Sequence, residues 1–388
     1  MRYVHQYMNK PTTVSNSQAN REQEVRENKV RTTTSAGGKA KRYGRVLLGQ
    51  DVHAVDVVVS RMVDGAVPQP SQRFKTAAYL EWVKKLVAES EEVISCYEAG
   101  PTGFALHRKL VALGVKNHVV APVCLDDRRR GVNDDRRDAR ELVTRLDRYV
   151  AGNPRAITVV RVPSPEEEQR RGATRQREQF RRERAAVAAM GRSLLLTLGY
   201  RESNGWWKPR RWAVVQEQIP DWLELRLEAF RRILVALDAE VQALTAAVEK
   251  EAPVELPKGM GRLTYEIVER EVVDWERFSG WRAAGSYAGL TGGVSASGQQ
   301  RADLSITKAG NSRLRAILVE LAWRMVIFQP EYHLVKKWKV LSSHSKAAAR
   351  QRKRAVVALA RGLFVDLWRW KTGRRTPEQL GWRMMVEA

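Results

Sequence analysis

The stretch RVLLGQDVHAVDVVVSRMVDG, residues 45–65, decides the fold. Arg45–His53 and Val55–Met62 are two runs rich in β-branched and aliphatic residues, each short enough for a strand, and Asp64-Gly65 supplies a turn signal after them. The first run carries one acidic residue, Asp51. A carboxylate inside an otherwise apolar strand is desolvated unless it sits at an open edge or binds a cation. Further along, Phe74, Ala77, Ala78, Trp82, Val83 and Leu86 keep near-helical spacing and predict a helix over 74–88. A strand at Val93–Tyr97, a helix at Phe104–Leu113, a strand at Asn117–Ala121 and a helix over 134–150 follow. Strands first, then alternating helix and strand, make an α/β domain with a mixed sheet.

The 388 residues suffice for two or three domains, and 68 Lys and Arg against 44 Asp and Glu leave a formal charge of +24. Such an excess of cations must face something anionic, and nucleic acid is the natural partner. Ribosome-associated and basic membrane-surface proteins share the balance, so motifs have to decide. Cys96 and Cys124 lie at the ends of apolar runs and read as buried, reduced thiols rather than a disulfide or metal site. Met1–Pro11 lacks the apolar centre of a signal peptide, and no run approaches the roughly 18 apolar residues that span a bilayer. A cytoplasmic protein with no membrane partner is expected.

Composition divides the chain into four regions. Residues 1–43 are polar and basic and read as a disordered arm. Residues 44–153 form the α/β domain. Residues 154–252 hold two long helices, Glu166–Arg192 and Trp222–Val248, broken around Trp206, Trp207 and Trp212. These read as an antiparallel, coiled-coil-like arm, whose tryptophans either pack helix on helix or stack on bases. Residues 253–388 are mostly helical. They open on Leu256-Pro257-Lys258-Gly259-Met260-Gly261, either a phosphate-binding turn of the helix-hairpin-helix kind or an ordinary Gly-rich turn. A Gly- and Ser-rich loop over Thr291–Gln300 follows, then a helix capped by Asn311 or Ser312 with Leu314, Ile317, Leu318 and Leu321 as its buried stripe. The last helix, Ser345–Trp370, begins with Lys346, Arg350, Arg352, Lys353 and Arg354, which suit either a nucleic-acid channel or a solvated face.

Asp51, Glu98, Asp135 and Asp138 are the residues most suited to chemistry. Asp135 and Asp138 are three apart and share a helix face, where two carboxylates can hold a cation. Arg136, Arg137 and Arg140 surround them, so a surface salt-bridge cluster is the plain alternative. Glu98 repeats the situation of Asp51 at the end of the next apolar strand. Three elements each supplying a carboxylate to one point fit a ribonuclease H-like fold in which Mg²⁺ ions meet a phosphodiester.

These motifs resemble a known family. Asp51 in Gly49-Gln50-Asp51-Val52-His53, Glu98 in Tyr97-Glu98-Ala99-Gly100-Pro101-Thr102-Gly103, and Asp135-Arg136-Arg137-Asp138-Ala139 look like the acidic positions of the DEDD insertion-sequence transposases, which have a RuvC-like N-terminal domain. Leu256–Gly261, Tyr287-Ala288-Gly289-Leu290-Thr291 and Thr307-Lys308-Ala309-Gly310-Asn311-Ser312-Arg313-Leu314-Arg315 are similar to the family's C-terminal domain. The resemblance implies a Mg²⁺-dependent recombinase that joins donor and target DNA, is guided by a structured noncoding RNA, and acts as a homo-oligomer, dimer or tetramer. It also implies a serine nucleophile between the Gly-Leu-Thr and Lys-Ala-Gly-Asn runs. Ser297, followed by Gly298, fits best, ahead of Ser295 and Ser305, with Arg301, Lys308, Arg313 and Arg315 near enough in sequence to hold phosphate. Two positions depart from the pattern: Asn133-Asp134 stand where the family has Lys-Thr, and Gly292 stands where it has Pro.

A structure-selective junction nuclease, which needs the acids but no serine, and a nonenzymatic nucleic-acid-binding relic are the rival expectations. The basic balance predicts tight, salt-sensitive binding to structured RNA. Affinity that hardly changes between low and high salt would argue against phosphate-dominated contact.

Overall fold

The computed structural model describes residues 42–122, 134–297, 300–338 and 349–386. The N-terminal arm up to residue 41, Cys124, Asn133, Gly298 and Lys346 lie outside the described residues. Contacts divide the chain into two units, Met1–Val162 and Pro163–Ala388.

The first unit is built on a mixed five-stranded sheet. Strands β1 (Tyr43–Val52), β2 (Asp56–Val63), β3 (Gln72–Lys75), β4 (Ser90–Glu98) and β5 (Lys116–Val120) lie in the order β3-β2-β1-β4-β5. β1 pairs antiparallel with β2 and parallel with β4, and β4 pairs parallel with β5. Val46 and Leu48 of β1 join Val57, Val59, Tyr79, Val83 and Leu110 in one core layer, while Leu47 joins Ile94, Cys96, Leu142, Val143 and Leu146 in another. The central strand is therefore covered on both faces, and its middle, Val46-Leu47-Leu48, is apolar without alternation for that reason. Helices α1 (Thr76–Glu89) and α2 (Ala105–Ala112) contribute to the first layer, and α3 (Asp135–Val150) contributes to the second. The sequence places these elements within a few residues of their observed ends. The four-residue edge strand β3 is absent from that reading, being too short and polar to alternate.

Gly49 sets the distance between β1 and α3. A Cβ built there would stand 2.3 Å from the amide nitrogen of Val143 and 2.4 Å from the carbonyl oxygen of Ala139. Helix backbone thus lies directly on the strand, two residues before Asp51. Asp134 caps α3, accepting a hydrogen bond of 3.1 Å from the Arg136 amide. Cys96 is a buried free thiol against the Leu142 carbonyl, and burial pushes its pKa up to about 12.

In the second unit, α4 (Pro165–Thr197) opens with a capping box formed by Ser164 and Glu167. It runs beside α6 (Asp221–Glu249), with α5 (Pro209–Gln218) between them in sequence. Arg177 reaches Thr245 and Arg184 pairs with Asp238, so partner numbers fall as α4 advances and the helices are antiparallel. Leu227, Leu234, Val241 and Val248 are buried at seven-residue intervals. Trp206, Trp207 and Trp212 are all at most 5 % exposed, and the Trp206 indole donates to the Ala188 carbonyl over Gly191. Packing is therefore their role here.

The C-terminal part holds β6 (Glu255–Pro257), α7 (Arg262–Val272), α8 (Trp281–Tyr287), a hairpin of β7 (Gly292–Ser297) and β8 (Gln300–Ile306), α9 (Ser312–Phe328), α10 (His333–Lys337), α11 (Ala349–Lys371), α12 (Pro377–Leu380) and β9 (Met384–Val386). Leu314, Leu318, Leu321 and Met325 pack with Leu359, Leu363, Phe364 and Trp368. In the Pro-x-Gly-x-Gly turn, the Lys258 and Met260 amides bond to the carbonyls of Arg383 and Pro257, so these two donors already have protein partners. Among the described residues, no helix is long and apolar enough to cross a membrane.

Gly49→Ala should be severely destabilising, because backbone on both sides of the new methyl cannot yield as a side chain could. A loss of about 3 kcal/mol and a fall in Tm of about 10 °C are expected by differential scanning calorimetry. An unchanged Tm would refute the close approach.

Candidate metal centre and serine hairpin

The β1–β2 connection brings a donor to the acidic site that the spacing of carboxylates alone does not announce. Asp51 and His53 are two residues apart at the end of β1, and the His53 amide bonds to the Asp56 carbonyl at 2.9 Å, closing the turn. His53 Nε2 lies 3.3 Å from Asp51 Oδ2 and 3.3 Å from Asp135 Oδ2. Donor atoms of Asp51, His53 and Asp135 all lie within 4.8 Å of one another.

Electrostatics separate the two aspartates. Burial pushes the Asp51 carboxyl above its usual range; His53 opposes this, while the charges of Asp135 and Asp138 add to it. Asp135 goes the other way, held low chiefly by its hydrogen bond to Arg73. Arg73 belongs to the edge strand β3, pairs with Asp56 at 3.1 Å and also reaches Asp135. The Ser71 hydroxyl donates to the Arg136 carbonyl at 2.7 Å, so the β3 edge clasps the start of α3. The cation beside the pair is therefore Arg73, which the sequence reading does not name. Asp135 and Asp138 both sit in the first turn of α3, where the helix dipole favours negative charge.

Glu98 ends β4 and is exposed. The parallel register pairs Gly49 with Cys96 and Gln50 with Tyr97, so Asp51 and Glu98 are the next positions on adjacent strands. Alternation gives Glu98 the face of Cys96, the face that α3 covers. Of the four expected carboxylates, Asp51 and Asp135 share the donor cluster, Asp138 acts on Asp51 through charge, and Glu98 adjoins along the strand end. His53 was missed because a single histidine after a strand is an everyday turn residue. The signal available was its two-residue offset from Asp51, which gives both the same strand face.

The donor chemistry suits a divalent cation. Two donors on one ion at about 2.1 Å stand roughly 3 Å apart when adjacent, close to the two 3.3 Å separations here. The acidic and histidine triad is thus able to coordinate a divalent metal.

The Gly- and Ser-rich segment is a β-hairpin rather than a loop. Ser295 pairs with Ala302 and Ser297 with Gln300, which places Ser297 at the tip and Arg301 one residue into the return strand. Ser305 lies within β8. The root of the hairpin is tightly joined. The Thr307 amide bonds to the Thr291 carbonyl at 2.9 Å and the Lys308 amide to the Gly289 carbonyl at 3.1 Å. A Cβ on Gly289 would stand 2.4 Å from the Ala309 carbonyl oxygen, and one on Gly310 would stand 2.3 Å from that of Tyr287. Arg315 donates to the Ala288 and Lys308 carbonyls, so it braces this root. Asn311 caps α9 through the Arg313 and Leu314 amides and donates 2.7 Å to Glu271. Glu271, 1 % exposed, also receives two bonds from Arg175 of α4, at 3.0 and 2.8 Å.

The sequence profile of the transposase IS116/IS110/IS902 family matches residues 254–336, the segment that includes the hairpin and its cap. The chain is 31% identical over 300 residues to a Sinorhizobium fredii protein described as a candidate transposase, y4rJ, covering 70% of this chain and 75% of that protein. The chain belongs to the IS110/IS116/IS902-type transposase family. A second S. fredii candidate transposase, y4qE, is 33% identical over 250 residues, 62% of this chain and 60% of that protein. The transposase for insertion sequence element IS1533 of Leptospira borgpetersenii is 23% identical over 304 residues, 72% of this chain and 85% of that protein. The family has a RuvC-like fold, and the mixed sheet of the first unit followed by a largely helical second unit agrees with it. Membership puts the chain among transposase and recombinase enzymes that act on DNA.

Burial raises the Glu271 carboxyl, but Arg175, Asn311 and Arg171 outweigh it and hold the group below the usual range. A carboxyl held low in the folded state contributes stability that is present above its unfolded pKa and lost as pH falls through the folded one. Glu271→Gln should therefore lower stability by about 2 kcal/mol at neutral pH and flatten the loss on acidification. Urea unfolding from neutral to acid pH checks both; an unchanged slope would mean that Glu271 is not the titrating group.

Proposed function

We propose that this chain is the recombinase of an insertion sequence, cutting and rejoining DNA with a serine nucleophile under the guidance of a structured noncoding RNA. The observation that carries the reading is the meeting of Asp51 and Asp135 at the end of the central strand, in a chain whose second unit contains the family segment with its serine hairpin. The four regions 1–43, 44–153, 154–252 and 253–388 are then basic arm, RuvC-like domain, coiled-coil arm and serine-bearing transposase domain.

Asp51, Glu98, Asp135 and Asp138 would hold a divalent cation, Mg²⁺ in this reading, which would supply charge stabilisation to a phosphoryl group. The Ser297 hydroxyl forms a new P–O bond to the scissile phosphate and gives up its proton, and the DNA oxygen leaves as a hydroxyl. The number of phosphodiester bonds is unchanged, so rejoining is the reverse displacement and needs no external energy source. Arg301, Lys308 and Arg313 are suited to neutralise phosphates beside the hairpin. Arg315 acts mainly on the hairpin root, given its carbonyl partners. The +24 charge supports contact with donor DNA, target DNA and guide RNA. A homo-oligomer, dimer or tetramer, lets the serine of one copy serve the acids of another.

Ser297→Ala should abolish a denaturation-resistant protein–DNA adduct while leaving RNA binding within about twofold of wild type, and Asp51→Asn should reduce recombination by about 10²-fold or more. Gel analysis of labelled DNA after denaturation, with filter binding for RNA, reads these outcomes. An adduct that survives in Ser297→Ala and vanishes in Ser295→Ala would move the nucleophile. Strand cleavage untouched by either change would favour a metal-dependent junction nuclease instead.

A further inference from the structure

We propose that His53 is a direct ligand of the metal centre, and that it makes this centre prefer a first-row transition dication such as Mn²⁺ over Mg²⁺. The inference rests on the metal-centre reading above and concerns which ion the site selects.

Three observations converge on His53. Its Nε2 atom stands 3.3 Å from an oxygen of each of two carboxylates that come from different elements, the end of β1 and the start of α3. That atom is shielded from solvent although the side chain is 39% exposed, and it has only the two long, poorly aligned carboxylate contacts among the described residues. Its separation from both oxygens is near that of adjacent donors on one ion, and all three donors fall within 4.8 Å of one another. A ring nitrogen directed between two carboxylates with no aligned hydrogen bond is better satisfied by a shared cation than by either oxygen.

The backbone that carries the ring is also held in place. The His53 amide is bonded to the Asp56 carbonyl, and the Asp56 carboxylate holds Arg73, which in turn reaches Asp135. Turn, edge strand and helix start thus fix the donor against the two acids, so the ligand arrangement has little left to order when a cation arrives. Arg73 currently neutralises Asp135, and a cation there would take over that role.

Ligand softness then gives the selectivity. Mg²⁺ takes oxygen donors almost exclusively and sheds water reluctantly, whereas imidazole binds first-row transition ions well. Carboxylates alone discriminate between the two ions only weakly. Adding one imidazole to the carboxylates strengthens the preference.

The test uses the full-length protein with Mn²⁺ and Mg²⁺ as probes. Isothermal titration should show Mn²⁺ binding at least ~10-fold more tightly than Mg²⁺. His53→Ala should weaken Mn²⁺ by about 10-fold or more while changing Mg²⁺ by less than about threefold, so that the preference collapses. Pulsed electron paramagnetic resonance of the Mn²⁺ form should detect coupling to one directly bound ring nitrogen, lost in His53→Ala. His53→Asn, which keeps a polar side chain in the turn, should lose the ring-nitrogen coupling while retaining Mg²⁺ binding, which separates ligation from folding damage. Equal affinities for the two ions with no nitrogen coupling would overturn the role of His53 and leave the carboxylate centre standing. No binding of either ion, or binding unaffected by Asp51→Asn, would instead overturn the metal-centre reading.

Discussion

The geometry of the acidic site depends on the contact of β1 with α3 at Gly49. A helix normally packs on a sheet through side chains, which hold the two backbones apart. At this one position the strand has no side chain, and helix backbone lies within van der Waals range of strand backbone. Everything nearby inherits that closeness. The capped start of α3 is drawn toward the end of β1, and Asp135 meets Asp51 and His53 across a gap that a cation could bridge. Burial raises the Asp51 carboxyl and the neighbouring carboxylates add to it, so packing supplies the approach and Arg73 and His53 offset part of the cost.

Much of the first unit was legible because its signals are local or alternate with period two. The apolar runs around Asp51 and before Glu98 are long, both sheet faces are buried, and each helix has clear spacing. What escaped was long-range. Arg73 lies on a four-residue edge strand with no pattern of its own, and its role exists only because Asp56 and Asp135 converge there. The Arg residues adjacent in sequence to Asp135 looked like the natural counter-ions. In the structure, the cation bonded to it comes from 62 residues upstream. His53 lacked a signal for the opposite reason: its neighbour in space is also its neighbour in sequence, and turns commonly hold histidine without chemistry.

The segment over Thr291–Gln300 reads as a loop because Gly is depleted in strands, whereas in the structure cross-strand pairing makes it a hairpin. Gly292–Ser297 forms ladder pairs with Gln300–Ile306 despite four Gly or Ser residues among its six. In the helical region the tryptophans raised a real ambiguity between stacking on bases and packing, and burial decides it. Some of the Arg residues likewise act internally. Arg175, Arg270 and Arg369 pair with the buried acids Glu271, Glu266 and Asp366; each pair cancels one charge of either sign, so the +24 excess remains with the other groups.

Glu271 also bears on the order in which the second unit assembles. Its bonds to Arg175 and Asn311 span 96 and 40 residues of chain. Closing a long loop is entropically slower than forming a helix or a hairpin in place. The long helices and the serine hairpin can each form from local contacts, whereas the cap of α9 acquires its carboxylate partner only after α7 has docked. During synthesis Arg175 leaves the ribosome well before Asn311, so the hairpin root gains its full set of partners only late, after the elements on either side of it exist.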